Sequence, residues 1–286
     1  MFAKQGVLHD LSPSSEEKYI IRLENGDILT GYIEQLHNDP ERGPGIRFDT
    51  KIGVTVIYDE EILEISKYYE SYRHAHRIFV MPTAQPIKDN HFIGNFELGF
   101  FYLGFGISDY LSITMGRSII PGIPSYHQIS IFNVKGSVFQ MDWAETPGGM
   151  NLAVGTNLAY INHNNQILNF YGAATFHNDR TRVTATIFNK QGPRSAYEIR
   201  FHDNLYPMNY ENGAFGIGLG IDTKFPKWHS IHFIGEFVTP NIIKPTNAGV
   251  TMGIRHASTE FSADFGIAFF TQPFLVPFVS FVWTPF

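Results

Sequence analysis

The chain has 286 residues, room for one large β domain and one small one. Its 21 Lys+Arg against 27 Asp+Glu give a formal net charge of -6, which argues against nucleic acid, whose phosphates need clustered positive charge. Charged residues are only 17% and aromatics 15%, yet the mean hydropathy is -0.11, far too low for a helical membrane protein and suited to a sheet with one apolar and one polar face. There is no cysteine, hence no disulfide frame or thiolate metal site. No apolar run approaches the ~18 residues of a membrane helix.

Residues 1–17 form an N-terminal tail. Met1 to Pro13 lacks the basic-then-apolar pattern of a signal peptide, so an exported reading of the rest implies a signal already removed. Residues 18–66 read as a meander of short strands. Lys18 to Glu24 is strand-like, and Asn25-Gly26-Asp27 is a hairpin turn because Asn-Gly tolerates positive φ. Ile28 to Leu36 follows, then a loop over Asn38 to Pro44, an alternating stretch Gly45 to Thr50, and Val54 to Tyr58. Ile62 and Ile65 close a unit the size of a small closed barrel.

The core "LENGDILTGYI", followed by "GIRFDT" and "EEILEI", resembles the Sm-like (SH3-type) small β-barrel. That resemblance implies RNA binding in rings, but the segment is acidic, with Glu24, Asp27, Glu34, Asp39, Glu41, Asp49, Asp59, Glu60, Glu61 and Glu64. The expected role is packing or contact with a periplasmic or envelope protein. Residues 67–77 read as a polar linker, in which His74 and His76 are expected to be solvated and not a metal pair.

From residue 78 the pattern changes to segments of about ten residues that alternate strictly. In Gly213 to Asp222, Phe215, Ile217, Leu219 and Ile221 fall on one face, and Ala214, Gly216, Gly218, Gly220 and Asp222 on the other. Leu152, Val154, Leu158 and Tyr160 oppose Asn151, Ala153, Gly155, Asn157 and Ala159. Val183, Ala185 and Ile187 oppose Arg182, Thr184 and Thr186, while Tyr197, Ile199 and Phe201 oppose Glu198, Arg200 and His202. Val250, Met252 and Ile254 oppose Thr251, Gly253 and Arg255, and the run Phe261 to Phe269 sorts the same way against Ser262, Asp264, Gly266 and Ala268. A soluble sandwich would bury the bulky face in its core, whereas a transmembrane barrel turns it to lipid and lines its lumen with the other; six segments obeying one rule favour the barrel.

The expected strands lie near 95–106, 109–118, 127–140, 150–162, 165–177, 181–190, 195–203, 212–223, 228–238, 247–256, 259–270 and 275–284, about twelve in all. Arg77 to Thr83 is a lead-in or a further strand. Short turns at Ile107 to Tyr110, Phe225 to Trp228 and Ala257 to Thr259 contrast with long loops at Gly116 to Tyr126 and Thr239 to Ala248. Such asymmetry separates the periplasmic from the extracellular end. Trp143, Tyr160, Trp228 and Trp283 lie near strand ends, where aromatic girdles sit. "FELGFFYLGFGISDYLSITMG" and the terminal "VSFVWTPF" resemble outer-membrane β-barrel proteins of Gram-negative bacteria. The resemblance implies an all-β, antiparallel up-and-down transmembrane barrel over 78–286, an outer-membrane location with the N-terminal domain in the periplasm, and outer-membrane lipid and the barrel assembly machinery as partners. Phe286, the residue that machinery reads, is out of phase with Val279, Phe281 and Trp283, so the reading rests on the alternation.

The inward set collects the candidate lumen residues Arg182, Glu198, Arg200, His202, Asp222, His232, Glu236, Arg255 and Asp264. Both signs are present, so the expectation is an interior filled and braced by charge pairs, with a selective constriction as the functional version. A lipid-modifying hydrolase or acyltransferase is the alternative from another class. His177-Asn178-Asp179, His229-Ser230 and His256-Ala257-Ser258 invite it, but no Gly-x-Ser-x-Gly or His-Glu-x-x-His supports it. Pro147-Gly148-Gly149 reads as a turn, and Tyr206-Pro207 as loop or girdle. The expectation is a non-enzymatic anchor, scaffold or narrow pore, with no cofactor, no metal and no catalytic residue.

Overall fold

The computed structural model describes residues 14–285, apart from 51, 68–72, 98, 144–147, 163–164, 193, 202–203, 226–227, 246, 259 and 272–273. The chain divides into two compact units, Met1–Ser71 and Tyr72–Phe286.

The first unit is a five-stranded antiparallel sheet. Its strands are β1 (Ser14–Leu23), β2 (Ile28–Asp39), β3 (Gly43–Thr50), β4 (Gly53–Tyr58) and β5 (Ile62–Lys67), in the order β4-β3-β2-β1-β5. The Asn25-Gly26 turn forms as expected, with Gly26 at φ +92°. Tyr19, Ile21, Ile33, Ile46, Phe48, Ile57 and Ile62 bury one face of the sheet. The expected closed small barrel is not formed, because no ladder joins β4 to β5. Yet only the three-residue 3₁₀ turn Asp59–Glu61 connects these two edges. Tyr58 and Ile62 are four residue steps apart, about 14 Å at most, so the open sheet curves to bring its two edge strands together. Arg42 ties the β2–β3 turn to that connector, reaching Glu61 at 3.1 Å and lying 3.8 Å over the Tyr58 ring.

The second unit is a closed barrel of twelve antiparallel strands. They are β6 (Phe92–Glu97), β7 (Phe100–Ile107), β8 (Leu111–Ser118), β9 (Ser130–Asp142), β10 (Gly148–Asn162), β11 (Asn165–Asn178), β12 (Thr181–Gln191), β15 (Phe215–Phe225), β16 (Trp228–Thr239), β17 (Gly249–Ala257), β18 (Phe261–Phe270) and β19 (Phe274–Trp283). Between β12 and β15 the chain makes β13 (Ala196–Phe201) and β14 (Asn204–Asn209), a hairpin that among the described residues pairs with itself and not with the wall. The expected number is met through two compensating corrections. The segment expected at 95–106 is two strands, β6 and β7, folded back at Gly99, whose φ is +79°. The segment expected at 195–203 is not in the wall, because β12 pairs directly with β15. Phe286 and Pro147 lie outside the described residues.

Connections sort by end. The short connections that follow β7, β15 and β17 share one end with the start of β6 and the end of β19. The long connections 119–129, 192–214 and 240–248 all lie at the other end. Trp143 follows β9, Trp228 opens β16 and Trp283 closes β19, so all three tryptophans sit exposed at the short-turn end, while Tyr160 lies toward the other. The outward face is apolar: Val154, Phe170, Ile187, Leu219, Ile254 and Phe265 are each at least half exposed to the surroundings. A closed wall satisfies its own backbone and can lay that face against hydrocarbon. This is the architecture of a transmembrane β-barrel.

Candidate functional site

The barrel interior is occupied by its own chain. Residues 73–91 enter at the short-turn end, where Arg73 donates to the Thr284 carbonyl at 3.3 Å. They turn back over 78–81, closed by Ile78 N–H to the Met81 carbonyl at 3.0 Å and the Arg77–Pro82 bridge. The segment then leaves beside Gly106, with which Asp89 makes a parallel bridge. Ile78, Phe79, Thr83, Ala84 and Ile87 are fully or almost fully buried. His74 and His76, expected to be solvated, are buried with them, because residues 73–77 of the expected linker are the first arm of this stopper.

An irregular segment inside a barrel carries backbone groups that must find partners. The wall supplies them from ionised side chains. One carboxylate oxygen of Glu236 accepts the N–H groups of Phe79, Val80 and Met81, at 2.6, 2.9 and 2.9 Å. The Lys135 ammonium donates to the carbonyls of His76, Thr83 and Gln85, at 3.0, 3.0 and 2.5 Å. Arg255 donates to the Ile78 carbonyl and grips both oxygens of Asp264, at 2.6 and 2.7 Å. Its remaining nitrogen meets Asp222 at 3.1 Å, and Asp222 also takes His232 at 2.6 Å and Arg182 at 3.5 Å. Arg182 reaches on to the Gln85 side chain at 2.5 Å. Hydroxyls complete the set: Thr175 accepts from Ala84 N–H, Ser137 donates to the Ala84 carbonyl, and Ser112 accepts from Ile87 N–H, each at 2.8 Å. The stopper also sends a cation into the wall: Arg77 pairs with Glu97 at 2.9 Å and bonds Ser280 at 2.9 Å. Gly218 and Gly220 face Met81, and a Cβ at Gly220 would come within 2.7 Å of its methyl.

Six of the nine residues expected in the lumen, Arg182, Asp222, His232, Glu236, Arg255 and Asp264, thus converge on one network around the stopper. Glu198 and Arg200 belong to β13 in the hairpin, not to the wall, and His202 lies outside the described residues. Sequence reasoning missed Lys135, Glu97 and Arg77. Lys135 alternates in phase with Asn133 on a strand that was recognised, so period two could have found it. Among the described residues no three His, Asp or Glu converge as a metal site.

The long-loop end holds a second obstruction. The buried Lys190 bonds the Arg194 carbonyl beneath the rings of Tyr197 and Tyr210, 5.0 and 5.4 Å away. Tyr197, Tyr210 and Ala214 pack on Ile167, with Ala159 and Phe188 against them, so the root of the hairpin fills that part of the mouth. The Asp222–His232 couple is clamped between arginines, and Ser258 is spent on the Phe261 carbonyl at 3.1 Å.

Among solved structures the chain is similar to the KdgM porin in complex with disordered oligogalacturonate, at 9% identity and a TM-score of 0.44 over 68% of this chain and 96% of that one. It is similar to the NanC porin at 8% and 0.41, over 68% and 97%, and to Pseudomonas aeruginosa OccK5 at 9% and 0.35, over 90% and 76%. Neither a protein-family model nor a curated protein matches the sequence.

Proposed function

We propose that this porin-like barrel is a non-enzymatic membrane anchor held shut by its own residues 73–91, and that it displays the N-terminal sheet to a periplasmic or envelope partner. The observation that carries this is the stopper, whose backbone polar groups are met by buried wall charges. A solute path through the short-turn half would require that network to break. The chain enters β6 at the short-turn end, the periplasmic end of such barrels, which supports a periplasmic N-terminal unit. The strand order β4-β3-β2-β1-β5 and the 3₁₀ turn before β5 support an Sm-like reading of that unit, with the exposed edges β4 and β5 as its contact surfaces.

Planar-bilayer recording tests the proposal. The full chain inserts without conductance steps, and replacing residues 78–84 with a Gly/Ser stretch produces discrete openings. Regular openings from the unaltered chain would overturn the closed reading.

A further inference from the structure

The wall is not equally complete all the way up. β19 has ten residues, but only Ser280, Phe281, Val282 and Trp283 pair with β6, the shortest seam in the barrel. β6 turns back after Glu97, so among the described residues Leu275 to Phe278 are paired with β18 alone. This leaves a notch between β19 and the β6–β7 turn, in the half of the wall nearer the long loops. An open sheet edge is not tolerated against lipid unless something polar reaches it. Pro277, which has no N–H to offer, falls within the unpaired stretch, as prolines at sheet edges do.

The interior behind the notch departs from the polar lumen of such barrels. By register Val276 and Phe278 of β19, Ala268 of β18 and Phe100 of β7 point inward there. Phe278 is 7% exposed and packs edge-on against Phe79 of the stopper, ring centroids 4.6 Å apart. Val238 and Ile234 extend the same apolar floor. The outer rim of the notch is continuous with the lipid-facing belt, since Leu275 beside it is 58% exposed. The stopper closes the route from the short-turn end, and the exposed Leu275 sets the notch beside the apolar outer belt.

We infer that this notch is a lateral portal through which the acyl chain of a bilayer lipid lies against Phe278 and Val276, its polar head toward the unpaired edge of β19. The inference rests on the transmembrane reading, and its test separates the two. The three native tryptophans are replaced by Phe, and single tryptophans are introduced at Phe278→Trp, Val276→Trp, Leu275→Trp (outward) and Tyr171→Trp (inward, on the far wall). Each full-length variant, checked for folding by heat-modifiable migration, is placed in phosphatidylcholine vesicles brominated midway along the acyl chains. Phe278→Trp and Val276→Trp are expected to lose emission nearly as strongly as Leu275→Trp, with Tyr171→Trp bright. If both inward probes at the notch stay as bright as Tyr171→Trp while Leu275→Trp is quenched, the portal is wrong and the barrel stands. Quenching of Tyr171→Trp as well would mean general access, which also overturns the portal. A bright Leu275→Trp would overturn the membrane reading and the portal together.

Discussion

The two units use the same period-two alternation with opposite outcomes. In the N-terminal sheet Phe48 is fully buried while its neighbour Arg47 is exposed. In the barrel Phe265 is 52% exposed while its neighbour Asp264 is fully buried. Alternation defines two faces, but closure decides which face becomes the interior. An open sheet must fold its apolar side over itself, as Tyr19, Ile21 and Ile62 do. A closed wall has a small interior into which a backbone segment has been drawn, and that backbone selects carboxylates, ammonium groups and hydroxyls.

Four changes would sharpen or break this contrast. The largest effect is expected at Arg255→Met, which leaves Asp222 and Asp264 buried without their main counter-charge and costs about 3–5 kcal/mol. A fall in the urea midpoint of the folded barrel checks it, and an unchanged midpoint would show that the buried charges do not hold the stopper. Next comes a mirrored pair. Phe48→Ala removes an aromatic core side chain at about 3–5 kcal/mol, whereas Phe265→Arg puts a charge on the lipid face at ~2–4 kcal/mol. Amide exchange on the full chain should quicken over residues 19–65 in the first and over β17–β19 in the second. Crossed responses would reject the inside-out assignment. The smallest effect is acid loosening of the N-terminal turns. Asp39 is held below its ordinary value by the N–H groups of Glu41 and Arg42, and Glu61 by the N–H of Tyr58 and then by Arg42. A depressed carboxylate stabilises above its unfolded value, and that contribution is lost as pH falls through the folded value, so these turns open below about pH 4. Faster exchange at Glu41, Arg42 and Tyr58 in that range checks it.

Much of the wall was legible because each strand carries its own alternation, with Phe215 to Asp222 the clearest. The boundary between β6 and β7 was not, since in "FELGFF" Gly99 stands between Leu98 and Phe100 with no Asn, Asp or Pro to mark a turn. The hairpin 196–209 alternates as well as any wall strand, and only the β12–β15 ladder reveals that it lies outside the wall. The lumen residues on β12 and β15–β18 could be read because charge opposite bulky apolar residues is visible locally. The stopper could not be read. "YRHAHRIFVMPTAQPIKDN" has neither periodicity nor a motif, and its partners lie far along the chain. Glu236 is 155 to 157 positions from the N–H groups it accepts.

That separation bears on the order of assembly. Residues 73–91 precede every wall strand, yet Arg77 bonds Ser280, 203 positions later, and Arg73 meets Thr284 across 211. Such contacts are slow to form because a long loop must close first. The stopper therefore cannot complete these contacts until β19 is in place, and a wall that lacks it leaves Arg77 without Ser280 and Phe79 without the Phe278 ring. Seating of this segment works as an internal proof that the last strand has been added.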